Sequence, residues 1–207
     1  MPTLLRIDSS PMGERSISRV LTAQFCQAWL KAHPGGQVIV RDVTKLGIPA
    51  VDDLWVAAAH TPADQRTAYQ NQVLAVSDSL IADLQDADEY VFGVPMHNFG
   101  ISSGLKLWLD QVMRAGKTFA YTANGPEGLL SGKKATLLVA SGGVYEPGSA
   151  MAALNFVTPY LRSVFGFMGV TDLRIISAEG TAQLARGGDA QTFLAPSLEK
   201  IRAHAAI

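Results

Sequence analysis

The sequence predicts an α/β protein in which a five-stranded parallel sheet, in the strand order 2-1-3-4-5, lies between two layers of helices. Segments with the composition of strands alternate with segments of helical periodicity along the whole chain, which is typical of parallel sheets with helical crossovers. Two strand segments are almost continuously apolar, as strands buried on both faces are. Two others alternate apolar and polar residues, which indicates the half-exposed edges of such a sheet.

The first half of the chain alternates between strands and helices up to residue 85. Residues 3–8 form a short apolar run that predicts the first strand, and residues 18–32 carry an apolar stripe at helical spacing. A Pro-Gly-Gly sequence ends that helix, and residues 37–43 alternate like an edge strand. We interpret residues 45–62 as a long loop and residues 64–85 as a helix.

The second half repeats the alternation around the centre of the predicted sheet. Residues 89–95 read Glu-Tyr-Val-Phe-Gly-Val-Pro, the composition of a buried strand, and a helix is predicted over residues 105–114. A Gly-rich excursion over residues 115–134 precedes another central strand at 135–141. The chain is predicted to close with a helix at 152–167, kinked at Pro159, an edge strand at 173–177 and a helix at 189–205.

The composition favours one globular domain over residues 1–207. Apolar residues make up 48% and charged residues 17% of the chain, which is enough to build a core and argues against disorder. The formal net charge of −1 gives no electrostatic basis for binding nucleic acid or an anionic membrane. The four histidines are scattered without metal-ligand spacing, so the sequence predicts no metal site.

The single cysteine and the apolar runs indicate the cellular compartment of the protein. Cys26 has no second cysteine with which to form an internal disulfide, and a reducing compartment suits a free thiol. The first apolar run contains Arg6 and Asp8 and lacks a preceding basic region, so we interpret it as a strand rather than a signal peptide. No apolar run is long enough to span a bilayer. We therefore predict a cytoplasmic protein that is not held in a membrane.

Unusual loops follow the first, third and fourth predicted strands, whose carboxyl ends border the ligand crevice expected for the flavodoxin-like strand order. After the first strand, Ser9, Ser10, Ser16 and Ser18 surround the start of a helix. Hydroxyls and the free N–H groups of a helix start bind phosphate, which predicts a phosphate site here. The alternative is that Ser16 or Ser18 only caps the helix. The glycine patterns of Walker and Rossmann loops are absent from this segment.

The loop after the third strand combines flexible apolar, amide and aromatic side chains. It reads Pro95, Met96, His97, Asn98 and Phe99. An amide between such groups suits a flat heteroaromatic ring with hydrogen-bonding edges. A turn in which Asn98 accepts an unusual backbone conformation is the alternative. A histidine such as His97 is more often a surface or packing residue than a group that contacts substrate.

The loop after the fourth strand contains paired glycines. Gly142 and Gly143 follow Ser141, and Tyr145 comes two residues later. Paired glycines let backbone N–H groups approach a ligand closely, but they also mark plain tight turns. Tyr145 either covers one face of a ring or packs against the protein.

A long string of residues is more specific than any one of these loops. It begins at Pro95-Met96-His97-Asn98-Phe99, passes through Arg114-Ala115-Gly116-Lys117-Thr118-Phe119 and continues to Gly125-Pro126-Glu127-Gly128-Leu129. This string, with the weaker Ser9-Ser10 and Ser16-Ile17-Ser18 elements, resembles the FMN-dependent NADH:azoreductase and quinone reductase family. The resemblance extends over essentially the whole chain.

The resemblance implies an enzyme that holds FMN and transfers hydride from NADH or NADPH to a quinone or azo compound. FMN then carries the difficult chemistry, so no catalytic side chain is nominated. Donor and acceptor would occupy the same place in turn, which predicts ping-pong kinetics. The phosphate would be bound by Ser10, Ser16, Ile17 and Ser18, the isoalloxazine ring by Pro95, Met96, His97, Asn98 and Phe99, and the ring's other polar edge by Ser141, Gly142 and Gly143 with Tyr145 nearby.

The sequence departs from the family pattern at two positions. It also leaves two alternative functions open. The family often has tyrosine at the position of His97, and it tends to have an arginine before the glycines where this chain has Ser141. An electron-transfer flavodoxin is the main alternative, although such carriers are strongly acidic and this chain is nearly neutral. A serine hydrolase is a weaker alternative because the chain has no G-x-S-x-G motif.

The predicted loop at residues 45–62 suggests a contact surface. It is long for a compact domain and places Leu54, Trp55 and Val56 together. These residues either form an interaction surface or fold back on their own core. The family resemblance also implies a homodimer with its flavin sites at the interface.

Overall fold

The main sheet has five parallel strands in the order predicted from the sequence. The structure is a computed structural model that describes residues 1–205. The strand order is β2-β1-β3-β6-β7, and a separate antiparallel hairpin is formed by β4 and β5. The strands are β1 Thr3–Asp8, β2 Gln37–Asp42, β3 Glu89–Pro95, β4 Phe119–Thr122, β5 Gly125–Gly128, β6 Lys134–Ser141 and β7 Asp172–Glu179.

Helices cover both faces of the sheet, which gives the predicted three layers. The helices are α1 Ile17–Ala32, α2 Asp53–His60, α3 Ala68–Asp86, α4 Ser103–Val112, α5 Val157–Phe167 and α6 Ala190–His204. One core cluster joins the sheet to α3, α4 and α5, and a second joins its other face to α1 and α6. Leu5 belongs to the first cluster and Leu4 to the second, because adjacent side chains of a strand point to opposite faces of the sheet.

The parallel register brings the ends of three strands together at one edge. β1 pairs with β2 up to Asp8 opposite Asp42, and with β3 up to Asp8 opposite Gly93. A Cβ atom added at Gly93 would lie 3.0 Å from Thr22 Cγ2 and 3.1 Å from the Ser18 carbonyl oxygen. Glycine at this position therefore lets the start of α1 lie directly against the sheet, next to the predicted crevice.

The interpretation of residues 45–62 as a loop is wrong, because the segment contains α2. Asp52 caps this helix by accepting a hydrogen bond from the Trp55 N–H at 2.8 Å. The Trp55 indole is buried and donates to Gln111 Oε1 at 2.8 Å. Leu54 and Val56, in contrast, are 47% and 42% exposed. Trp55 thus folds back on the core, and only its two neighbours remain at the surface.

One further prediction needs correction in the second half of the chain, and the Gly-rich excursion has a defined structure. The excursion at residues 115–134 contains the hairpin β4–β5, which contacts the end of α5 through Gly128 and Gly169. The predicted kink at Pro159 does not apply, because α5 begins at Val157 and Pro159 lies in its first turn. An N–H group in the first turn has no partner within the helix, so proline is tolerated there.

Candidate functional site

A cleft of about 480 Å³ lies at the carboxyl ends of the central strands. It is bounded by the start of α1, the segment after β3, the end of β6 and the segment after β7. The lining residues are Ser10, Met12, Arg15, Ser16, Ile17, Pro95, Met96, His97, Ala140, Gly142, Thr181, Leu184 and Ala185. The structure therefore brings together seven of the thirteen predicted binding residues: Ser10, Ser16, Ile17, Pro95, Met96, His97 and Gly142.

The start of α1 forms one end of the cleft. Ser16 is the N-cap, with φ −82° and ψ 124°, and its Oγ accepts from the Arg19 N–H at 3.5 Å. The Ser18 side chain is fully buried, and its Oγ lies 3.1 Å from Ser16 Oγ. Ser16 therefore caps the helix, and the Ser18 hydroxyl lies behind it. The N–H groups of the first turn have no partner within the helix, which makes this end of the cleft suitable for an anion.

Arg19 holds the loop between β1 and α1 from behind. Its Nη2 and Nε atoms donate to the Ser10 carbonyl oxygen at 2.6 Å and 3.0 Å. The same guanidinium donates to both carboxylate oxygens of Asp42 at 2.8 Å. Although burial raises the pKa of Asp42, the hydrogen bonds from Arg19 and Thr44 lower it to about 2. The carboxylate is therefore ionised at neutral pH and the ion pair is fully formed.

The segment after β3 ends in a strained two-residue turn. His97 and Gly100 exchange two backbone hydrogen bonds of 2.9 Å. Asn98 and Phe99 between them have φ values of 47° and 70°, a region that residues other than glycine rarely adopt. Asn98 therefore has the unusual backbone conformation that the turn interpretation expected. Such strain persists where the surroundings enforce it, often beside a ligand.

Aromatic contacts support that turn on the outer side of the cleft. The Phe99 and Tyr145 rings are 6.3 Å apart in an edge-to-face arrangement, and the Phe99 carbonyl accepts from the Phe156 N–H at 3.1 Å. Asn98, Phe99 and Tyr145 do not line the 480 Å³ cleft. His97 lines both this cleft and a neighbouring hollow of about 320 Å³.

The glycine loop after β6 is bonded to the segment after β7. Its backbone carbonyls point toward that segment, since the Gly180 N–H donates to Gly143 at 2.9 Å and the Ala182 N–H donates to Gly142 at 3.3 Å. Ser141 is buried, and its Oγ donates to the Gly143 carbonyl at 3.0 Å. Ser141 and Gly143 therefore shape the loop, and Gly142 alone of the three lines the cleft.

A carboxylate fixes the far side of the same loop. Glu179, the last residue of β7, accepts hydrogen bonds from the Tyr145 N–H at 2.6 Å and the Glu146 N–H at 2.9 Å. Thr181 adds a bond from its Oγ1 to the Ser141 carbonyl at 3.1 Å. The loops that follow β6 and β7 are consequently joined at both ends.

Comparison with known proteins assigns the fold family. A family model described as the flavodoxin-like fold matches residues 2–205. The chain belongs to the flavodoxin-like family. It is 53% identical, over the full length of both chains, to an FMN-dependent NADH:quinone oxidoreductase of Acidobacterium capsulatum. A solved azoreductase from Bacillus anthracis superposes with a TM-score of 0.89 at 31% identity, covering 100% of this chain and 99% of the azoreductase.

A second solved structure contains the cofactor that the sequence resemblance implied. An FMN-dependent NADH-azoreductase from Bacillus anthracis, solved in complex with FMN, superposes on this flavodoxin-like protein with a TM-score of 0.87 at 25% identity. The alignment covers 100% of this chain and 98% of that one. The family resemblance read from the residue string is confirmed by these comparisons.

Sequence reasoning missed six residues that line the cleft of this flavodoxin-like protein. They are Met12, Arg15, Ala140, Thr181, Leu184 and Ala185. Arg15 lies within the serine-rich loop, but the predicted phosphate site contains only hydroxyls and the N–H groups of the helix start. The predicted crevice includes only the loops after the first, third and fourth strands, so the residues after β7 lie outside the prediction. Gly180 and Gly187, both left-handed, bound that segment and were the available signal.

Other titratable groups give no sign of a second reactive centre. Burial raises the pKa of the Cys26 thiol to about 11, so the thiol is protonated at neutral pH and is a poor nucleophile. Among residues 1–205, no three His, Cys, Asp or Glu side chains are grouped so that they could hold a metal ion. None of the helices in the described part of the chain is both long and apolar enough to cross a membrane.

Proposed function

We propose that this chain is an FMN-dependent oxidoreductase that transfers hydride from NADH or NADPH to quinones and azo compounds. The observation that carries the proposal is the cleft itself, which has a helix N-terminus and hydroxyls at one end and apolar walls beyond them. Its 480 Å³ volume lies in the range of cofactor pockets. The names of the FMN-dependent relatives with 53% and 50% identity support the same cofactor.

The residues present fit the two chemically different parts of FMN. A phosphate suits the Ser16 hydroxyl and the free N–H groups at the start of α1, with Arg15 at the same end. A flat ring suits the apolar surface of Met96 and Leu184 and the backbone of Gly142. We propose that FMN is held by the predicted set Ser10, Ser16, Ile17, Ser18, Pro95, Met96, His97, Asn98, Phe99, Ser141, Gly142, Gly143 and Tyr145, with Arg15 and Thr181 added.

The protein's part in the reaction is to bind, orient and exclude water. When bound, FMN supplies the hydride chemistry, and quinones take up their protons from water. Phe99 is 39% exposed, contacts Tyr145 and follows His97, which lines the cleft, by two residues. We propose that it leaves room for one planar partner at a time. Donor and acceptor would therefore alternate at one site, and no acid or base side chain is required.

Anaerobic spectroscopy with the FMN-loaded protein tests this function. NADH alone is expected to remove the visible flavin absorbance, and a quinone added afterwards is expected to restore it. Steady-state data are expected to give parallel double-reciprocal lines, with excess quinone competing against NADH. Sluggish bleaching by NADH would favour the electron-carrier alternative. Intersecting lines would contradict the shared site but leave the FMN-dependent activity standing.

We also propose that one domain over residues 1–207 forms a homodimer in the cytoplasm. Large apolar side chains are exposed around the Phe99 turn, namely Val144, Leu154 and Phe156, the last at 59%. A hollow of about 480 Å³ lined by Ile101, Phe156, Pro159 and Tyr160 adjoins them. A surface of this kind is typical of a protein contact, and the free Cys26 thiol suits a reducing compartment.

Light scattering at micromolar protein concentration tests the dimer. The mass is expected to be twice that of the 22.0 kDa chain, and Phe156→Arg is expected to shift it toward the monomer because a charge would enter the apolar surface. Leu30→Arg, at an apolar residue of α1 that is 42% exposed, serves as the matched control and should leave the mass unchanged. A monomeric wild-type protein would contradict the proposal.

A further inference from the structure

Arg19 occupies a position that local helix energetics disfavour. It is the third residue of α1, and a cation in the first turn is repelled by the positive end of the helix dipole. It does not line the cleft, and its side chain is only 14% exposed. Residues that break a local rule are expected where function or a compensating contact requires them.

The side chain of Arg19 joins the loop that carries Ser10 to the end of β2. Two of its N–H groups hold the Ser10 carbonyl oxygen, at 2.6 Å and 3.0 Å. The planar fork is fixed from the other side by both oxygens of Asp42, at the carboxyl end of β2. The Ser10 carbonyl is therefore tied to the sheet edge and is kept from turning toward an anion in the cleft.

The charge of Arg19 is compensated within its own cluster. Asp42 balances Arg19, and the nearby Asp8 pairs with Arg6 at 2.7 Å. Lys45, whose side chain is 79% exposed, lies 3.7 Å from Asp42 and adds a third cation to these two ion pairs. Because Arg19 is paired with Asp42 and bonds directly to the Ser10 carbonyl, we expect it to act on the cleft mainly through the geometry of the loop, and a variant that keeps its charge separates this effect from long-range attraction.

We infer that Arg19 is a positioning residue that holds the Ser10–Ser16 loop in the conformation that receives the phosphate of FMN. The inference rests on the proposed FMN site and adds a residue that contacts no part of the ligand. It follows that Arg19 governs the preference for FMN over riboflavin, which has the same ring without the phosphate. Ring binding, through Met96 and Gly142, should be almost independent of it.

Fluorescence titration of the apoprotein with FMN and with riboflavin tests the inference. Arg19→Gln is expected to weaken FMN binding about tenfold or more, while riboflavin affinity changes by less than about threefold. Arg19→Lys is expected to behave almost like Arg19→Gln, because one ammonium group cannot hold both the Ser10 carbonyl and the Asp42 fork. Thermal unfolding of each apoprotein shows whether the variant is folded.

The chain offers a matched control in Arg41, which forms the same two-bond fork with Asp83 at 2.7 Å and 2.8 Å, away from the cleft. Arg41→Gln is expected to leave both affinities unchanged. Full FMN affinity in Arg19→Gln, or equal losses for FMN and riboflavin, would overturn the positioning role. Full affinity in Arg19→Lys would assign the effect to charge and would also overturn it.

The FMN site and the role of Arg19 can fail separately. A double variant, Ser16→Ala with Ser18→Ala, removes hydroxyls at the proposed phosphate site itself. If the double variant loses FMN and Arg19→Gln does not, the site stands and the role of Arg19 is wrong. If the double variant keeps full FMN affinity, the phosphate site is wrong, and the inference about Arg19 falls with it.

Discussion

Replacing Gly128 with alanine is expected to destabilise the protein by about 3 kcal/mol, the upper end of the usual cost of overpacking. A Cβ atom at this position would lie 2.1 Å from the Gly169 nitrogen and 2.3 Å from the Met168 carbonyl carbon. Both neighbours are backbone atoms, so no side-chain rotation relieves the contact. The hairpin β4–β5 has to move away from the end of α5, and urea-induced unfolding at equilibrium measures the loss.

Gly166→Ala is the matched control for this variant. Gly166 lies in α5, and no atom lies within 4 Å of a Cβ built on it. Alanine is favoured over glycine inside a helix by about 1 kcal/mol, so the control is expected to be slightly more stable than the wild type. Equal stabilities for the Gly128 and Gly166 variants would show that the hairpin and α5 do not approach each other as closely as described.

The double variant Ser16→Ala with Ser18→Ala is expected to weaken FMN binding by about a hundredfold or more. Hydrogen bonds to a charged group contribute about 1.5–3 kcal/mol each, and each 1.4 kcal/mol is about tenfold in affinity. Most of the loss should appear in Ser16→Ala alone, because Ser18 Oγ is buried behind Ser16 Oγ at 3.1 Å. Titration of the apoprotein with FMN measures the effect.

Ser16→Ala also removes the cap of α1, so a cap variant without a ligand role is needed for comparison. Thr67 caps α3, and its Oγ1 accepts from the Gln70 N–H at 3.2 Å. Thr67→Ala is expected to lower stability by about 1 kcal/mol and to leave FMN affinity unchanged. Unchanged FMN affinity in the serine double variant would show that the phosphate does not bind at the start of α1.

The strands could be predicted closely because burial on both faces dictates their composition. The predicted bounds of β1 and β3 agree with the structure, and both strands are almost entirely buried. Helix α2 could not be found in the same way. It has eight residues, of which only Trp55 and Ala58 are buried, so it shows too little periodicity. Tertiary contacts stabilise it, above all the Trp55 bond to Gln111.

The site could be predicted where its residues belong to the loops of unusual composition after β1, β3 and β6. The segment with Thr181 and Leu184 reaches the cleft through hydrogen bonds to the glycine loop, and its flanking residues Gly180 and Gly187 indicate a turn but not this contact. Only part of the most specific motif lies at the cleft. Arg114 is buried away from it, where its Nη1 donates to Ser77 Oγ at 2.8 Å and its N–H donates to Thr118 Oγ1 at 3.2 Å. That part of the motif preserves the attachment of the hairpin to the helices.

The bonds between the loops after β6 and β7 determine how this side of the cleft can fluctuate. Because Glu179 holds the amides of Tyr145 and Glu146, and Gly142 and Gly143 accept from the next segment, neither loop can open without breaking bonds to the other. The two loops therefore share one opening free energy and exchange their amide hydrogens as a cooperative unit. We therefore expect a molecule that touches only Gly142 to slow amide exchange at Tyr145 and Glu146 as well, so that ordering spreads along this wall without a change in its average shape.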